Sequence, residues 1–413
     1  MNILYIEHYA GSLDMGMEFR PYYLCREWQK AGHNTRIVCA SFSHLRSFNP
    51  NVEKDFEIKT IDGVEYQFVK TCEYKGNGAK RVLSMFQFVS KIKRHARKIV
   101  KGFKPDVVIT SSTYPLDVYA ACKIAKIAKC KYIHEAHDVW PLTLIEIGNM
   151  SRFNPFVVLL SIGEKKTYKK AQAIVSVLPF SYEHMLKKGL KSKDMFFHIP
   201  NGISLGDWEK SEDVPDEHKK LLSKLREEGK FIIEYLGGHA LSNRLELLID
   251  AAKRTKGDEN ISYVLIGKGV KKNELETEVK NNNLQNVFFL PPISKKSVPT
   301  ALKMADALYI GGYDTGLTQF GVSLNKVYDY MMAGKPILYG FKSRNNEVLE
   351  ANSGLCFDPD DTESLVDAIY QIKEMSQENR KELGDNGRKW VLENCEYKVL
   401  ADKFMKVIEG IDK

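Results

Sequence analysis

The stretch GVSLNKVYDYMMAGKPILYG, from Gly321 to Gly340, predicts a short helix that leads directly into a buried strand. Ser323 is a favourable N-cap residue, Gly334 supplies a C-terminal stop, and Pro336 blocks continuation of the helix. The apolar run after Pro336 is short enough for a strand that is buried on both faces. This stretch therefore predicts one helix-to-strand unit of a parallel sheet.

The polar side of this helix carries a lysine in an unusual place. The predicted buried stripe consists of residues at helical spacing, namely Leu324, Val327, Tyr328 and Met331. Asn325, Lys326 and Asp329 lie on the other side. Lys326 falls in the first turn, where the helix macrodipole disfavours a cation. A bound anion would account for this lysine, and the alternative is a solvated side chain that bends away from the helix end.

The same alternation of strands and helices extends along the chain. In the first half, the strand candidates are NILYI, TRIVCAS, DVVITS, CKYIHEAHD, AQAIVSVL and DMFFHIPNGI. In the second half, they are FIIEYLGG, SYVLIGKG, NVFFLPP, ALYIGGY, KPILYG and GLCFDP. Alternation of this kind predicts parallel βαβ units in two doubly wound α/β domains.

The composition of the segments between these units suggests the domain bounds. We expect a first Rossmann-like domain over residues 1–203, a charged linker over 204–229 and a second Rossmann-like domain over 230–390. The two helices at the end, over residues 391–413, are expected to pack back toward the first domain. Ligands of such sheets bind at the carboxyl ends of the strands.

Composition excludes several classes of protein. The chain has 413 residues, of which 43% are hydrophobic, but no charge-free run approaches the ~20 residues of a membrane-spanning helix. It begins directly on a strand candidate, so we expect a cytoplasmic protein. The seven cysteines are scattered without CxxC spacing, which argues against a disulfide framework and against a zinc site.

The net charge of +8 is concentrated in one predicted helix. The segment from Lys91 to Lys104 contains seven Lys or Arg and no acid. An apolar stripe at helical spacing runs through it and the preceding turn, formed by Met85, Phe88, Val89, Ile92, Ala96 and Ile99. Such a helix packs its stripe on a sheet, and its basic face could also attract an anionic membrane surface. Nucleic acid is not expected, because no recognised binding motif accompanies the charge.

Several motifs together resemble those of the retaining glycosyltransferase family 4, in its bacterial surface-polysaccharide branch, which makes O-antigen and capsule. They are GMEFRPYYLCREWQKAGH, HEAHDVWP, IPNGI, SLNKVYDYMMAGKPIL, GLCFDPDDTESLVDAI and LGDNGRKWVLEN, in this order over nearly the whole chain. The resemblance implies the GT-B fold, in which two doubly wound domains face a central cleft.

The resemblance also implies an activity. Hexosyl or N-acetylhexosaminyl transfer is expected from a nucleotide-sugar, a UDP-sugar, to a polyprenyl-diphosphate-linked saccharide held by the first domain. Retention of configuration is expected, and neither a cofactor nor a divalent metal is required. The protein would be peripheral on the inner face of the plasma membrane.

Carried onto this sequence, the motifs imply candidate site residues. The catalytic candidates are His137, Lys326 and Arg244. The donor-binding candidates are Gly11, Gly16, Gly238, Lys268, Ser323, Leu324, Asn325 and Asp329. In this scheme the first-turn amides and Lys326 hold the diphosphate, and Asp329 accepts ribose hydroxyls. The alternatives are a buried, hydrogen-bonded His137 and an Asp329 paired with Lys326 or solvent.

The sequence departs from the family pattern at several of these positions. The two glutamates that the family places eight positions apart fall on Gly321 and Asp329. The family's phosphate-binding Arg and Lys fall near Gly238–His239 and Asn243, where Arg244 or Lys268 would have to substitute. Two other functions therefore stay open, a GT-B-fold sugar-nucleotide epimerase and a catalytically silent partner protein.

Overall fold

The computed structural model describes residues 1–411, which form two compact units. The first unit comprises Met1–Pro200, Phe320–Ser323 and residues 397–411. The second comprises Asn201–Gln319 and Leu324–Glu396. Each unit has its own sheet with a hydrophobic core on both faces.

The helices and strands alternate through both units. The strands are β1 (Asn2–Ile6), β2 (Asn34–Ala40), β3 (Glu57–Ile61), β4 (Val64–Val69), β5 (Val107–Thr110), β6 (Lys131–Ala136), β7 (Ala173–Ser176), β8 (Phe196–His198), β9 (Phe231–Leu236), β10 (Ile261–Ile266), β11 (Val287–Leu290), β12 (Ala307–Gly311), β13 (Ile337–Gly340) and β14 (Gly354–Cys356). The helices are α1 (Arg20–Lys30), α2 (Ala79–Phe103), α3 (Val118–Ala128), α4 (Leu142–Glu146), α5 (Pro155–Lys170), α6 (Tyr182–Lys188), α7 (Leu205–Glu209), α8 (Asp216–Glu227), α9 (Leu245–Arg254), α10 (Lys272–Asn281), α11 (Val298–Lys303), α12 (Asn325–Ala333), α13 (Glu347–Glu350), α14 (Thr362–Glu374), α15 (Gln377–Cys395) and α16 (Tyr397–Gly410).

The sheet of the first unit has the order β3-β4-β2-β1-β5-β6-β7-β8. All neighbouring pairs are parallel except β3 and β4, which form an antiparallel hairpin at the edge. This hairpin was not predicted from the sequence. Its turn is Asp62-Gly63, with φ of 50° and 80°, and an Asp-Gly pair between alternating strands is the signal that identifies such a turn. The chain order reverses between β1 and β5, which makes this the switch point of the sheet.

The basic helix α2 is longer than predicted but buries the predicted stripe. Met85, Phe88, Ile92, Ala96 and Ile99 all lie in the core on one face of the sheet. Helices α3 and α5 contribute to the same core. The stripe therefore packs on the sheet, as the periodicity predicted, while the basic residues of α2 remain at the surface.

The sheet of the second unit has the order β11-β10-β9-β12-β13-β14, and all its neighbouring pairs are parallel. The switch point lies between β9 and β12. Residues 204–229, predicted as a linker, contain α7 and α8, and Leu222 and Leu225 of α8 are buried in the core of this unit. Each strand predicted in this half is present.

Helix α12 begins one residue later than predicted. Leu324 is its N-cap residue and has an extended backbone, whereas Ser323 clusters with the first unit. Gly334 ends the helix in the left-handed conformation, as predicted. Every residue from Val327 to Ala333 is buried, because α12 packs against α11, α15 and β12 at once. Within residues 1–411, no helix is both long and apolar enough to cross a membrane.

Strand β9 carries a carboxyl group in the core of the second unit. The Glu234 side chain is fully buried, and neither of its oxygens has a hydrogen-bond partner within residues 1–411. Burial raises the pKa of Glu234 to about 8, although the charge of Lys335 acts in the opposite direction. The folded protein therefore holds this carboxyl in its neutral form at pH 7.

This burial predicts a pH dependence of stability. Between about pH 4.5 and pH 8 the unfolded chain releases the Glu234 proton while the folded chain keeps it. The free energy of unfolding should therefore fall with rising pH, by up to about 1.4 kcal/mol per pH unit from this group. Glu234→Gln should remove this part of the slope in urea titrations, whereas Glu227→Gln, at an exposed position of α8, should leave it unchanged. Equal slopes for wild type and Glu234→Gln would contradict this assignment.

Candidate functional site

Two glycine turns meet at the carboxyl edge of the second sheet. Gly237 follows β9, and Gly267 follows the neighbouring β10. A Cβ atom on Gly267 would lie 1.9 Å from the carbonyl oxygen of Gly237, so no other residue fits there. A Cβ atom on Gly237 would lie 3.1 Å from the Cδ of Lys326, which comes from α12. The switch point between β9 and β12 thus brings a lysine side chain over a glycine turn.

The ammonium of Lys326 contacts only neutral groups. It donates to the Asn243 Oδ1 at 2.6 Å and to the Tyr235 hydroxyl at 3.1 Å, and it lies over the Tyr235 ring. Among the described residues no carboxylate pairs with it. Burial lowers the pKa of Lys326 to about 8. This lysine therefore carries an uncompensated, partly desolvated charge, which an anion would stabilise.

A histidine near the position of the family's phosphate-binding residue, which was not itself predicted as a site residue, lies beside these turns. His239 is buried, and its Nε2 lies 3.3 Å from the position of a Cβ on Gly267. Burial, and then the charges of Lys272 and Lys326, lower the pKa of His239 to about 4. Its two ring nitrogens have no hydrogen-bond partner in residues 1–411. A neutral imidazole with free nitrogens can accept or donate one hydrogen bond to a ligand at this edge.

The helix N-terminus differs from the prediction in two respects. Ser323 is not the N-cap residue, and the Leu324 that replaces it has no side-chain group to cap the amides. Asn325 is exposed at the first helical position, and Lys326 is half-buried at the second. No side chain caps the helix, and the Val327 amide donates to the Leu324 carbonyl at 3.0 Å. The amides of Asn325 and Lys326 are therefore the ones open to an external acceptor.

Asp329 does not lie on a solvated face with Asn325 and Lys326, as the helical wheel predicted. It is 9% exposed, and its two oxygens accept from the Lys295 Nζ at 2.7 and 2.6 Å. Lys295 follows β11 in a turn capped by Ser294. Its side chain is 39% exposed and that of Asp329 is 12% exposed, so a ligand at this point would meet the ammonium first. Lys295 is a residue that the sequence analysis missed.

The two candidate substitutes for the phosphate-binding pair occupy different positions. Arg244 donates to Asp360 at 2.6 Å, and its guanidinium lies over the Tyr313 ring. Its neighbour Asn243, and not Arg244, contacts Lys326. Lys268 follows Gly267, and its side chain is exposed. The Lys268 carbonyl accepts from the His239 amide at 2.8 Å and lies beside Gly238.

A cleft of about 590 Å³ opens at this edge, between the loops that follow β12 and β13. It is lined by Asp314, Thr315, Gly316, Thr318, Gln319, Lys342, Ser343 and Arg344. Its volume suits a small organic ligand, and its lining is polar. Within residues 1–411, no group of three or more His, Cys, Asp or Glu side chains is placed to bind a metal ion.

In the first unit, His137 belongs to a network at the carboxyl edge of β5 and β6. Its Nε2 lies 2.6 Å from the Ser111 Oγ and 3.3 Å from the Glu135 Oε2. The buried Glu135 also accepts from Ser111 at 2.6 Å, from Tyr5 and from the Arg20 Nε at 2.9 Å. His137 is therefore held in one orientation, with its side chain 21% exposed.

The charges in this network compensate each other. Burial alone would raise the pKa of Glu135, but the Arg20 guanidinium and the hydrogen bonds from His137 and Ser111 lower it well below its usual range. Arg20 is the first residue of α1, followed by Pro21. A cation at a helix N-terminus is the signal that drew attention to Lys326, and applied to α1 it would have identified Arg20.

Packing within the loop between β1 and α1 explains the two glycines that it contains. A Cβ on Gly11 would lie 1.7 Å from the Gly16 carbonyl oxygen, and Gly16 has φ of 95°. The Gly11 amide donates to the Glu18 carbonyl at 2.7 Å, and the Tyr66 hydroxyl donates to the Gly11 carbonyl at 2.7 Å. These contacts require small residues at both positions without any ligand.

The burial of Lys326 predicts how the stability of the ligand-free protein depends on pH, and how Lys326→Met changes that dependence. The unfolded chain binds a proton on this lysine up to about pH 10.4, and the folded chain only up to about pH 8. Stability should therefore rise between these pH values, because the unfolded state binds more protons there. Lys326→Met should lose this rise and should melt no lower than wild type at pH 7. A clearly lower melting temperature at pH 7 in calorimetry would contradict the description of an uncompensated charge.

Two family models match successive parts of the chain. Residues 15–207 match the model described as Glycosyltransferase Family 4, and residues 217–390 match the model described as Glycosyl transferases group 1. The chain is also 24% identical over 202 residues to a putative colanic acid biosynthesis glycosyl transferase, WcaI, of Escherichia coli K12. That alignment covers 47% of each protein, so this chain spans about half the length of the relative it matches.

Solved structures resemble the whole chain in fold. The sucrose-phosphate synthase of Thermosynechococcus elongatus is 15% identical with a TM-score of 0.74, and the alignment covers 99% of both chains. Anabaena HepE in complex with UDP is 12% identical with a TM-score of 0.68, over 100% of both chains. At these identities the likeness shows the fold. The chain therefore matches a family 4 glycosyltransferase model over residues 15–207 and a group 1 glycosyltransferase model over residues 217–390, and it has the two-domain GT-B fold.

Proposed function

We propose that this protein is a retaining glycosyltransferase that transfers a sugar from a UDP-sugar to a polyprenyl-diphosphate-linked saccharide during surface-polysaccharide synthesis. One observation carries the proposal. The Lys326 side chain passes over the Gly237 turn, and its ammonium contacts only the neutral Tyr235 and Asn243. A leaving nucleoside diphosphate develops negative charge, which a preorganised cation and open helix amides stabilise.

The relatives support parts of this proposal. The structure of Anabaena HepE holds UDP, and WcaI is named for colanic acid biosynthesis. Both family models are glycosyltransferase models, so the epimerase alternative receives no support. A partner protein without activity would need no desolvated cation at the switch point, since such a charge lowers stability.

The second unit would bind the donor. Lys326 and the amides at the start of α12 would hold the diphosphate, and the 590 Å³ cleft would take the sugar. Lys326 and Asp329 are three positions apart, which is about 4.5 Å along the helix axis. This spacing suits a ribose next to the diphosphate. The Lys295 ammonium, with Asp329 behind it, would then be the group that the ribose hydroxyls meet.

The first unit would bind the acceptor. His137 is fixed by Ser111 and partly exposed, so it can orient a saccharide hydroxyl. In the proposed route the acceptor hydroxyl attacks on the face that the diphosphate leaves, and a leaving phosphate oxygen takes the proton. This route needs no side-chain base and no metal ion, because positioning and charge stabilisation supply the rate enhancement.

The donor site is tested by removing its cation. Assays in EDTA should follow transfer from UDP-sugars, and calorimetry should follow UDP binding. We expect Lys326→Ala to slow transfer by about tenfold to a thousandfold and to weaken UDP binding. Lys296→Ala is the matched control, since it removes a 52% exposed lysine that pairs with Glu212. Wild-type transfer and UDP affinity in Lys326→Ala, or a new linkage of inverted configuration, would refute the proposal.

The surface of the first unit supports the proposed membrane attachment. A cleft of about 500 Å³ lies between α5 and α6, and it is lined by Arg152, Phe153, Val158, Ser161, Ile162, Lys165, Lys187 and Lys188. Phe153 is 90% exposed and Ile162 is 54% exposed, with four cations and no acid in the lining. Apolar side chains framed by lysines suit insertion into an anionic bilayer.

Vesicle sedimentation tests this attachment. Phe153→Asp should reduce sedimentation with anionic vesicles severalfold. The substitution removes apolar area that the bilayer would bury, and it adds a negative charge that the anionic lipids repel. Charge reversal at Arg94, Arg97 and Lys98 of α2 should act in the same direction, and salt should release the wild type. Phe48→Asp is the control, since Phe48 is 60% exposed in the same unit but lies outside this cleft. Equal loss in both phenylalanine variants would exclude a specific surface.

A further inference from the structure

A second basic cleft lies at the amino edge of the sheet of the second unit. It has a volume of about 530 Å³ and is lined by Arg226, Gly229, Lys230, Phe231, Asn260, Asp306, Lys373 and Arg380. Strands β9, β10 and β12 begin next to Lys230, Asn260 and Asp306. Lys326 lies at the opposite, carboxyl edge. Because a six-residue strand spans about 20 Å, this cleft is separate from the proposed donor site.

Three of the four cations in this lining are tied to neutral carbonyl groups. Arg226 donates to the Met304 carbonyl at 2.7 Å, and Lys230 donates to the Glu259 carbonyl at 2.8 Å. Arg380 donates to the Lys373 carbonyl at 3.1 Å, and its guanidinium lies over the Phe231 ring. A carbonyl orients the side chain without cancelling its charge. These three cations are therefore held in place and remain available to an anion.

The acids near the cleft compensate only part of this charge. Asp258 pairs with Lys373. Asp306 accepts from the Ile232 amide at 2.9 Å and lies 3.9 Å from the Arg226 guanidinium. Lys335, two residues before β13, adds a further cation, and burial together with the charges of Arg226 and Arg380 lowers its pKa despite Asp306 and Glu234. Positive charge is thus in excess over several segments of the chain.

We propose that this amino-edge cleft is a binding site for a small polyanion that carries phosphate groups. The cations come from the end of α8, the start of β9, the end of α14 and the start of α15, so a compact ligand with two or more anionic groups can contact several of them at once. Guanidinium and ammonium groups held in this way suit phosphate oxygens. The inference does not depend on the proposed sugar transfer, since none of these residues lies at the carboxyl edge.

Binding of inorganic pyrophosphate tests this site. The measurement is made by calorimetry on the Lys326→Ala protein, in which anion binding at the proposed donor site is weakened. Pyrophosphate should bind this protein, and Lys230→Gln and Arg380→Gln should each weaken binding by about tenfold, because each removes a charge-assisted contact. Lys303→Gln is the matched control, since it removes an exposed lysine of the same unit from outside the cleft. It should leave the affinity unchanged.

Two further measurements distinguish a loss of binding from a loss of folding and from a loss of side-chain shape. The melting temperature of each variant without ligand shows whether it is folded, and Arg380→Lys, which retains the charge, should keep most of the affinity that Arg380→Gln loses. The proposal is overturned when pyrophosphate does not bind the Lys326→Ala protein, or when the cleft variants bind it as tightly as the Lys303→Gln control. Neither result would affect UDP binding at the carboxyl edge, which tests the proposed transfer separately.

Discussion

The carboxyl edge of the second sheet surrounds a single desolvated charge. The Lys326 ammonium is held by a tyrosine hydroxyl and an amide oxygen, and its side chain passes over the Gly237 turn, whose carbonyl excludes any side chain at Gly267. No neighbouring carboxylate cancels it among the described residues, so the protein without ligand bears the cost of burying it. The glycine turns, the uncapped start of α12 and the neutral His239 all leave space or hydrogen-bonding capacity around that charge. The same features would be unfavourable in an edge that binds nothing.

The two units place a cation at the start of a helix in different electrostatic settings. Arg20, at the start of α1, faces the buried carboxylate of Glu135, and the pair is completed by backbone carbonyls of Ile199 and Pro200. This cation is compensated from within its own unit and acts as a structural group that positions Ser111 and His137. Lys326 has no such carboxylate. The difference between a structural cation and a binding cation therefore depends on the partner that the fold supplies, and not on the residue type or its place on the helix.

The two edges of the second sheet also differ in the partners that hold their cations. At the carboxyl edge, the family 4 and group 1 domain models and the GT-B neighbours lead us to propose a nucleotide-sugar site. At the amino edge, cations from several segments are oriented by backbone carbonyls, and the ion pairs there join Asp258 to Lys373 and Asp306 to Arg226. Strand β9 connects the two edges and carries the buried Glu234 between them. A sheet with excess positive charge at both ends is consistent with the net charge of +8 of the whole chain.

Local periodicity and capping residues determined much of this protein from the sequence by itself. They predicted the doubly wound α/β class, all strands of the second unit, the buried stripe of α2 and the end of α12 at Gly334, because each of these depends on neighbours within a few residues. The placement of a lysine in the first turn of α12 was also visible, since the helix macrodipole is a local property. The Asp62-Gly63 turn carried an equally local signal that was overlooked.

Only the tertiary structure decided which partners the charged side chains have. Asp329 meets Lys295 from 34 residues away, Lys326 meets Asn243 from 83 away, and Arg244 meets Asp360 from 116 away. Such pairs form where strands from distant parts of the chain end at one sheet edge, and the spacing of residues along the sequence carries no information about that meeting.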